Sequence, residues 1–205
     1  MGGGGSFGGH PIQFGRRASQ QAVVLVHGIT NRADTFGRIR DHLQGEGHED
    51  GSVYATTYGD GGKTMAPMVA VKCEYIKQVR SMIQSVAAYT RRKVDVIAFS
   101  MGAPVARKAI LGGLCVDTRV SLGPPLSSLV DTFVSVAGAN HGSFLCLLPF
   151  PGDFVFSIFS RNDDKVGFQN GCGEVTSRIG GQNAEFQVMF SSAGLQNSLI
   201  VRHAP

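Results

Sequence analysis

The sequence predicts an α/β protein with a mainly parallel central sheet and helices on both faces of that sheet. From residue 21 onward, short apolar strand segments alternate with helical segments, and this order is typical of a parallel sheet. The segments 21–27 and 94–99 are apolar almost throughout, as expected for strands that are covered on both faces. A chain of 205 residues, 42% of them hydrophobic, is large enough to form one such domain.

The predicted elements follow one another without an internal repeat. The predicted strands lie at 21–27, near 52–58, at 94–99, 129–137, 153–159 and 185–190. The predicted helices lie near 34–46, near 67–90 and at 103–111. Residues 1–20 are rich in glycine and are predicted to form a flexible tail. The domain is therefore expected at 21–190, with a C-terminal tail at 191–205.

The charge pattern excludes some classes of partner. The net charge is +4, but lysine and arginine are scattered, and their clusters at 16–17 and 91–93 do not alternate with aromatic residues. Nucleic acid is therefore not expected as a partner. No apolar run reaches the length of a membrane span, and the N-terminus lacks the hydrophobic core of a signal peptide.

Two further patterns indicate no cofactor or metal. The segment 57–64 resembles a phosphate-binding loop, but Thr57 stands where that pattern requires glycine, so we interpret it as a βα loop. The four cysteines lack the CxxC spacing of a zinc site. They allow three disulfide pairings, or buried free thiols, and their spacing alone does not choose among these.

Ser100 lies where the strand at 94–99 turns into the next helix. Small residues flank it, with Ala98 two positions before and Gly102 two positions after. This is a variant of the Gly-x-Ser-x-Gly nucleophile elbow, whose strained turn crowds those two positions. The pattern predicts Ser100 as a nucleophile, with an ordinary glycine turn after a buried strand as the alternative.

A His-Gly pair ends the strand at 21–27, about seventy residues before Ser100. In this order and spacing, the two segments resemble an α/β-hydrolase fold, in which the loop after the earlier strand supplies one oxyanion amide. The residue after the nucleophile supplies the other. We therefore predict the amides of Ile29 and Met101 as the oxyanion hole, and we expect His27 to brace this loop.

The acid and the base of a serine triad should follow the nucleophile in that order. Asp163 follows the strand at 153–159 and is predicted as the acid, with Asp164 as its rival and a solvated turn as the alternative. The loop at 190–195, where the base is expected, holds no histidine. His203 is the histidine that follows Asp163 and is predicted as the base, although chain ends tend to fray. His141 precedes Asp163 and is predicted to be structural or to line the pocket.

Four segments together resemble the class 2 lipase family of small serine lipases. They are Val24–Thr30, Val94–Gly102, Val136–Gly142 and Ser157–Gly167. The resemblance covers about residues 21–188 and implies a minimal α/β-hydrolase fold. It implies that Ser100 is the nucleophile, Asp163 the acid, and Ile29 and Met101 the oxyanion amides. The resemblance stops after about Val188, just before the family's Asn-His segment.

The resemblance also implies secretion, disulfides and hydrolysis of acyl esters such as acylglycerols without a metal or organic cofactor. Transient contact with lipid surfaces is expected. With disulfides implied, Cys146 and Cys172 fall in loops at the carboxyl edge of the sheet and would form one bridge. Cys73 and Cys115 would then pair, if the ends of neighbouring helices lie close enough.

Two functions fit these observations. The first is a serine carboxylester hydrolase, a lipase that acts through Ser100, Asp163 and His203 and an acyl-enzyme. The alternative is a truncated, catalytically impaired lipase-like protein that binds an acyl ligand or a partner without turnover. The position of a histidine relative to Ser100 discriminates between them.

Overall fold

The computed structural model describes residues 5–9, 17–65, 69–141, 154–164, 166–170 and 172–189. These residues form a seven-stranded sheet with strand order β1-β3-β2-β4-β5-β6-β7. The strands are β1 Ser6–Phe7, β2 Ala22–Val26, β3 Val53–Thr56, β4 Val94–Phe99, β5 Val130–Val136, β6 Phe154–Ser160 and β7 Ala184–Val188. All neighbouring strands are parallel except β1, which pairs antiparallel with β3. The predicted α/β class with a mainly parallel sheet is confirmed.

Among these residues, three α-helices cover the sheet, one on one face and two on the other. They are α1 Gly37–Gly45, α2 Cys73–Thr90 and α3 Gly102–Leu111. A short 3₁₀ turn, Ala33–Phe36, leads into α1. Each predicted helix is present, so the expectation of helices on both faces is confirmed.

The side chains of each strand divide between two hydrophobic cores, because successive residues of a strand point to opposite faces. Val23 and Leu25 of β2 pack with Phe36 and with Ile39 and Leu43 of α1. On the other face, α2 and α3 cover alternate residues of β2 and β4, among them Val24, Val26, Val96 and Ala98. This alternation explains why β2 and β4 are apolar along their whole length.

Two boundaries differ from the sequence prediction. The prediction included no strand before residue 21, but β1 joins the sheet edge, and the amide of Gly9 donates to the Gly51 carbonyl at 2.9 Å. The predicted helix near 67–90 begins only at Cys73, because residues 69–72 are not helical. Apolar residues at helical spacing before Cys73 therefore do not extend the helix.

A disulfide joins Cys73, the first residue of α2, to Cys115 beyond the end of α3, with the two Cα atoms 5.7 Å apart. This predicted pair is confirmed. The predicted Cys146–Cys172 bridge is wrong in this structure, since Cys172 is an exposed free thiol. The turn around Cys172 is held by the side chain of Asn170, whose Oδ1 accepts the amides of Cys172 and Glu174. Cys146 itself lies outside the described residues.

Candidate active site at the carboxyl edge of the sheet

Ser100 directly follows β4 and has a left-handed backbone with φ of +54°. Its amide donates to the Val136 carbonyl at 2.9 Å, at the end of the neighbouring strand β5. Its carbonyl accepts the amides of Ala103 at 3.1 Å and Ala139 at 3.3 Å. These bonds tie the turn to α3 and to the loop after β5, and the Ser100 side chain is left half-buried at the strand end.

Glycine is required at two positions where β2 approaches this turn. A Cβ atom on Gly102 would lie 2.3 Å from the His27 carbonyl oxygen and 2.6 Å from that of Val26. A Cβ atom on Gly28 would lie 2.8 Å from the Cβ of Ser100. The crowding expected at position plus two of an elbow is therefore present, and it comes from the backbone of β2.

Ile29 and Met101, the residues whose amides are predicted as the oxyanion hole, both line one partly open pocket. Met101 precedes the first residue of α3, where backbone amides have no partner within the helix. Among the described residues, neither amide takes part in a backbone hydrogen bond. Tyr58, Val69 and Tyr75 also line this pocket, so two free amides lie beside apolar and aromatic side chains.

His27 lies buried under this pocket with both ring nitrogens occupied. The Tyr58 amide donates to Nε2 at 3.1 Å, and Nδ1 lies 2.8 Å from the Gly28 carbonyl oxygen. Nε2 therefore accepts and Nδ1 carries the proton that it donates to Gly28. Burial lowers the pKa of His27, although the Gly28 hydrogen bond and the nearby Asp34 oppose this shift. A neutral histidine bonded in this way braces the loop and is not placed to receive the proton of Ser100.

Asp163 follows β6 at the same sheet edge as Ser100, since β4, β5 and β6 are adjacent and parallel. The Asp163 side chain is buried, and its Oδ1 accepts the Val166 amide at 2.9 Å. Its rival Asp164 is exposed. The local geometry therefore favours Asp163 over Asp164 as the carboxylate that faces the protein interior.

His141 is the histidine of the described residues that lies in the loop after β5, next to the elbow. Its Nδ1 lies 3.0 Å from Glu174 Oε2, and its amide donates to the Thr176 carbonyl at 3.2 Å. The preceding Asn140 donates to Ser135 Oγ at 2.8 Å and to the Ser177 carbonyl at 2.9 Å. His141 is thus fixed to the loop that follows β6.

The proposed base, His203, lies outside the described residues. Within the part of the chain that the structure describes, no hydrogen bond joins the Ser100 hydroxyl to a histidine. Among the described residues, the structure therefore brings together the left-handed turn at Ser100, two amides without a backbone partner and a buried carboxylate at one sheet edge.

The segment that resembled a phosphate-binding loop already contains its own anion. Asp60 accepts the amides of Gly62, Lys63 and Thr64, at 3.0, 3.2 and 2.8 Å respectively. These hydrogen bonds lower the pKa of Asp60, led by the bond from the Thr64 hydroxyl. The carboxylate occupies the amides that would otherwise hold a phosphate, which agrees with the interpretation as a βα loop.

Sequence reasoning missed Tyr58, which contacts His27 and lines the pocket. The sequence predicts a strand near 52–58, which would include Tyr58. In the structure β3 ends at Thr56, and Tyr58 belongs to the following loop. An aromatic residue followed by glycine at a strand end carries no specific signal for such a role.

The family model for class 2 lipases matches residues 20–151, which is more than half of the chain. The chain belongs to the class 2 lipase family. The Ser100 turn, the loop that carries Ile29 and the strands that position them all fall within the matched segment. This family membership establishes the chain as a relative of ester hydrolases. A search of curated protein sequences finds no match.

Solved lipases and esterases share this fold at low sequence identity. A mature Bacillus licheniformis lipase has a TM-score of 0.59 at 12% identity, over 95% of this chain and 94% of the other. Aspergillus fumigatus lipase B has a TM-score of 0.61 at 15% identity over 91% of this chain, which spans 52% of that protein. A Thermogutta terrifontis esterase has a TM-score of 0.56 at 14% identity, over 91% of this chain and 75% of the other. Identities this low show the shared fold alone.

Proposed function

We propose that this class 2 lipase-family chain hydrolyses carboxylic esters of the acylglycerol type, with Ser100 as the nucleophile. The observation that carries the proposal is the left-handed Ser100 elbow beside a pocket lined by Ile29 and Met101, whose amides are unused in backbone bonding. An ester carbonyl held against Ser100 would place its oxygen between these amides. Amides that are already oriented stabilise the negative charge that develops on that oxygen.

The reaction would follow the acyl-enzyme route. Ser100 Oγ attacks the ester carbonyl while a histidine removes the hydroxyl proton, and the tetrahedral oxyanion forms between the amides of Ile29 and Met101. The intermediate then collapses, and the alcohol leaves with the proton from the histidine. Water then attacks the acyl-enzyme while the histidine removes its proton, and a second tetrahedral oxyanion forms. Its collapse releases the carboxylic acid and returns the proton to Ser100 Oγ. We assign the base to His203 and its carboxylate partner to Asp163.

A catalytically impaired protein that binds an acyl ligand or a partner is the second candidate. It is favoured by one observation: among the described residues, no hydrogen bond joins a histidine to the Ser100 hydroxyl. If no histidine reaches Ser100, a serine triad loses about 10⁶ in turnover. The oxyanion hole would then leave about 10³–10⁴ over the reaction in water.

A fluorophosphonate probe on the purified chain distinguishes these candidates. The probe bonds covalently to an activated serine, so wild-type labelling that disappears in Ser100→Ala and His203→Ala supports the triad with His203. Labelling that disappears in Ser100→Ala and His141→Gln but persists in His203→Ala would move the base to His141. A folded wild-type chain without labelling would favour the binding protein.

The disulfide and the substrate class bear on where the protein acts. The Cys73–Cys115 bridge is compatible with an oxidising compartment, and we propose secretion by analogy with the family. None of the described helices has the length and apolar character needed to span a membrane. We propose that the enzyme meets its lipid substrate through transient contacts at lipid surfaces and acts in lipid catabolism.

A further inference from the structure

The loop that follows β3 packs along the loop that carries Ile29. The Tyr58 hydroxyl donates to the His27 carbonyl at 2.7 Å, while the Tyr58 amide donates to the His27 ring at 3.1 Å. The two rings are stacked, with centroids 4.1 Å apart and planes 12° apart. Both side chains are almost fully buried. Tyr58 therefore holds the ring and the backbone of His27 at once.

The same loop contacts the far side of the Ile29 loop. Thr57 Oγ1 accepts the Ala33 amide at 3.0 Å. The backbone of Gly62 lies against Thr30, since a Cβ on Gly62 would come within 2.4 Å of the Thr30 carbonyl oxygen. Thr30 has a left-handed backbone with φ of +60°, a conformation that persists only where surrounding contacts fix it.

These contacts bracket Ile29. On one side the carbonyl of His27 is held by Tyr58, and on the other the carbonyl of Thr30 rests on Gly62. The orientation of the Ile29 amide depends on the peptide planes between these two points. We infer that Tyr58 is a positioning residue that fixes the Ile29 amide toward the developing oxyanion. This inference rests on the proposed function, because it assigns a role within the same site.

The hydroxyl of Tyr58 is the part of the side chain that holds the backbone. Burial raises the pKa of Tyr58 well above its ordinary value, and the nearby Tyr75 adds to the effect, so the group remains a hydrogen-bond donor. Phenylalanine at this position would keep the stacking on His27 and the packing of the ring. It would leave the buried His27 carbonyl without the donor that positions it.

The test is Tyr58→Phe in the full chain, assayed by ester hydrolysis and by affinity for a trifluoromethyl ketone. Such a ketone forms a hemiketal oxyanion with the serine, so its affinity reports on the oxyanion hole. We expect kcat to fall about 10-fold with KM changed less than about 2-fold, because loss of an oxyanion donor itself costs about 10²–10³. The affinity for the ketone should fall by the same factor as kcat/KM.

Tyr54→Phe is the matched control. Tyr54 is also a buried tyrosine, but its hydroxyl has no hydrogen-bond partner among the described residues and it lies in β3 rather than in the loop. This variant should leave kcat, KM and ketone affinity unchanged. An equal fall in kcat and ketone affinity in Tyr58→Phe and Tyr54→Phe would overturn the inference, since it would reflect only the loss of a buried hydroxyl.

Thr57→Val provides a second test if Tyr58→Phe does not fold. It keeps the shape of the side chain and removes the acceptor for the Ala33 amide. Where Tyr58→Phe folds, a selective fall in its kcat and ketone affinity supports the inference, and unchanged values overturn it. Where it does not fold, the same two outcomes in Thr57→Val decide whether this loop positions the Ile29 amide. If the wild-type chain shows neither turnover nor labelling at Ser100, the proposed function itself fails. An active wild type with unaffected variants refutes the inference alone.

Discussion

At the scale of single residues, the site depends on a backbone conformation that serine rarely adopts. Ser100 has a φ of +54°, in the left-handed region where a side chain other than glycine is strained. Strand β5, helix α3 and two loops hold it there, through bonds to Val136, Ala103 and Ala139 and through close contact with Gly28. The strain places the hydroxyl at the tip of the turn, as the proposed role of Ser100 as nucleophile requires, at a cost in stability.

Exchanging Ser100 for glycine should therefore stabilise the fold relative to alanine. We expect the free energy of unfolding of Ser100→Gly to be about 1 kcal/mol higher than that of Ser100→Ala, because alanine keeps the strain of the left-handed backbone and glycine removes it. Both variants should lose labelling by the fluorophosphonate probe. Urea unfolding of the two variants measures the difference, and equal free energies of unfolding would show that Ser100 is not strained.

Arg91 supplies the control for this comparison. It ends α2 with a φ of +54°, the same left-handed value, but it lies on the surface at the opposite end of β4 from Ser100. Arg91→Gly should exceed Arg91→Ala in stability by a similar amount. Labelling at Ser100 should persist in both Arg91 variants, which separates backbone strain from the chemistry of the site.

At the scale of elements, α2 shows why a helix boundary could not be read from hydrophobic spacing. The apolar pattern continues before Cys73, but the helix begins where long-range contacts fix its first residue. Asp117, which lies 44 residues further along the chain, accepts the Cys73 amide at 2.9 Å and so caps the helix. This hydrogen bond leads the causes that lower the pKa of Asp117. Because the residue that caps the helix is so distant in the chain, no local sequence pattern indicates that the helix begins at Cys73.

The disulfide at the same helix start should make a large contribution to stability. It joins residues 42 positions apart, and closing a loop of this length in the unfolded chain corresponds to about 4 kcal/mol. We expect the double variant Cys73→Ser/Cys115→Ser to lose about 3–4 kcal/mol in free energy of unfolding, as measured by urea denaturation.

Cys172→Ser is the matched control for the disulfide. Cys172 is an exposed free thiol, so this variant should stay within about 0.5 kcal/mol of the wild type. A double variant as stable as Cys172→Ser would mean that the bridge contributes nothing measurable to the folded state.

At the scale of the whole molecule, the sequence predicted the strands and the motif residues better than the contacts between loops that hold these residues in place. The strands β2 and β4 could be predicted because burial on both faces requires apolar residues throughout. Ser100 and Gly102 could be predicted because the elbow restricts residue size at fixed positions. The contact of Tyr58 with His27 could not be predicted, because the two residues lie in different loops and 31 positions apart in the chain. It also depends on ring stacking, which no sequence spacing indicates.

The edge of the sheet formed by β7 carries exposed apolar side chains. Within that sheet, β7 pairs with β6 alone, and Phe186 is 49% exposed on it, with Met189 74% exposed just beyond. The strand also begins one residue and ends two residues before the predicted 185–190, where no buried side chain marks the boundaries. An edge strand with exposed apolar side chains is a template for pairing with another chain.

We therefore expect the protein to self-associate as its concentration rises, and Phe186→Lys to reduce this association. A lysine at an edge strand opposes pairing, because bringing two such edges together would bury its charge. Sedimentation velocity over a range of concentrations measures the effect. Tyr89→Lys is the control, since Tyr89 is an aromatic residue of nearly equal exposure, 48%, that lies on α2 and not on β7. Equal loss of association in both variants would point to general surface hydrophobicity, and a monomeric wild type would show that the β7 edge is protected.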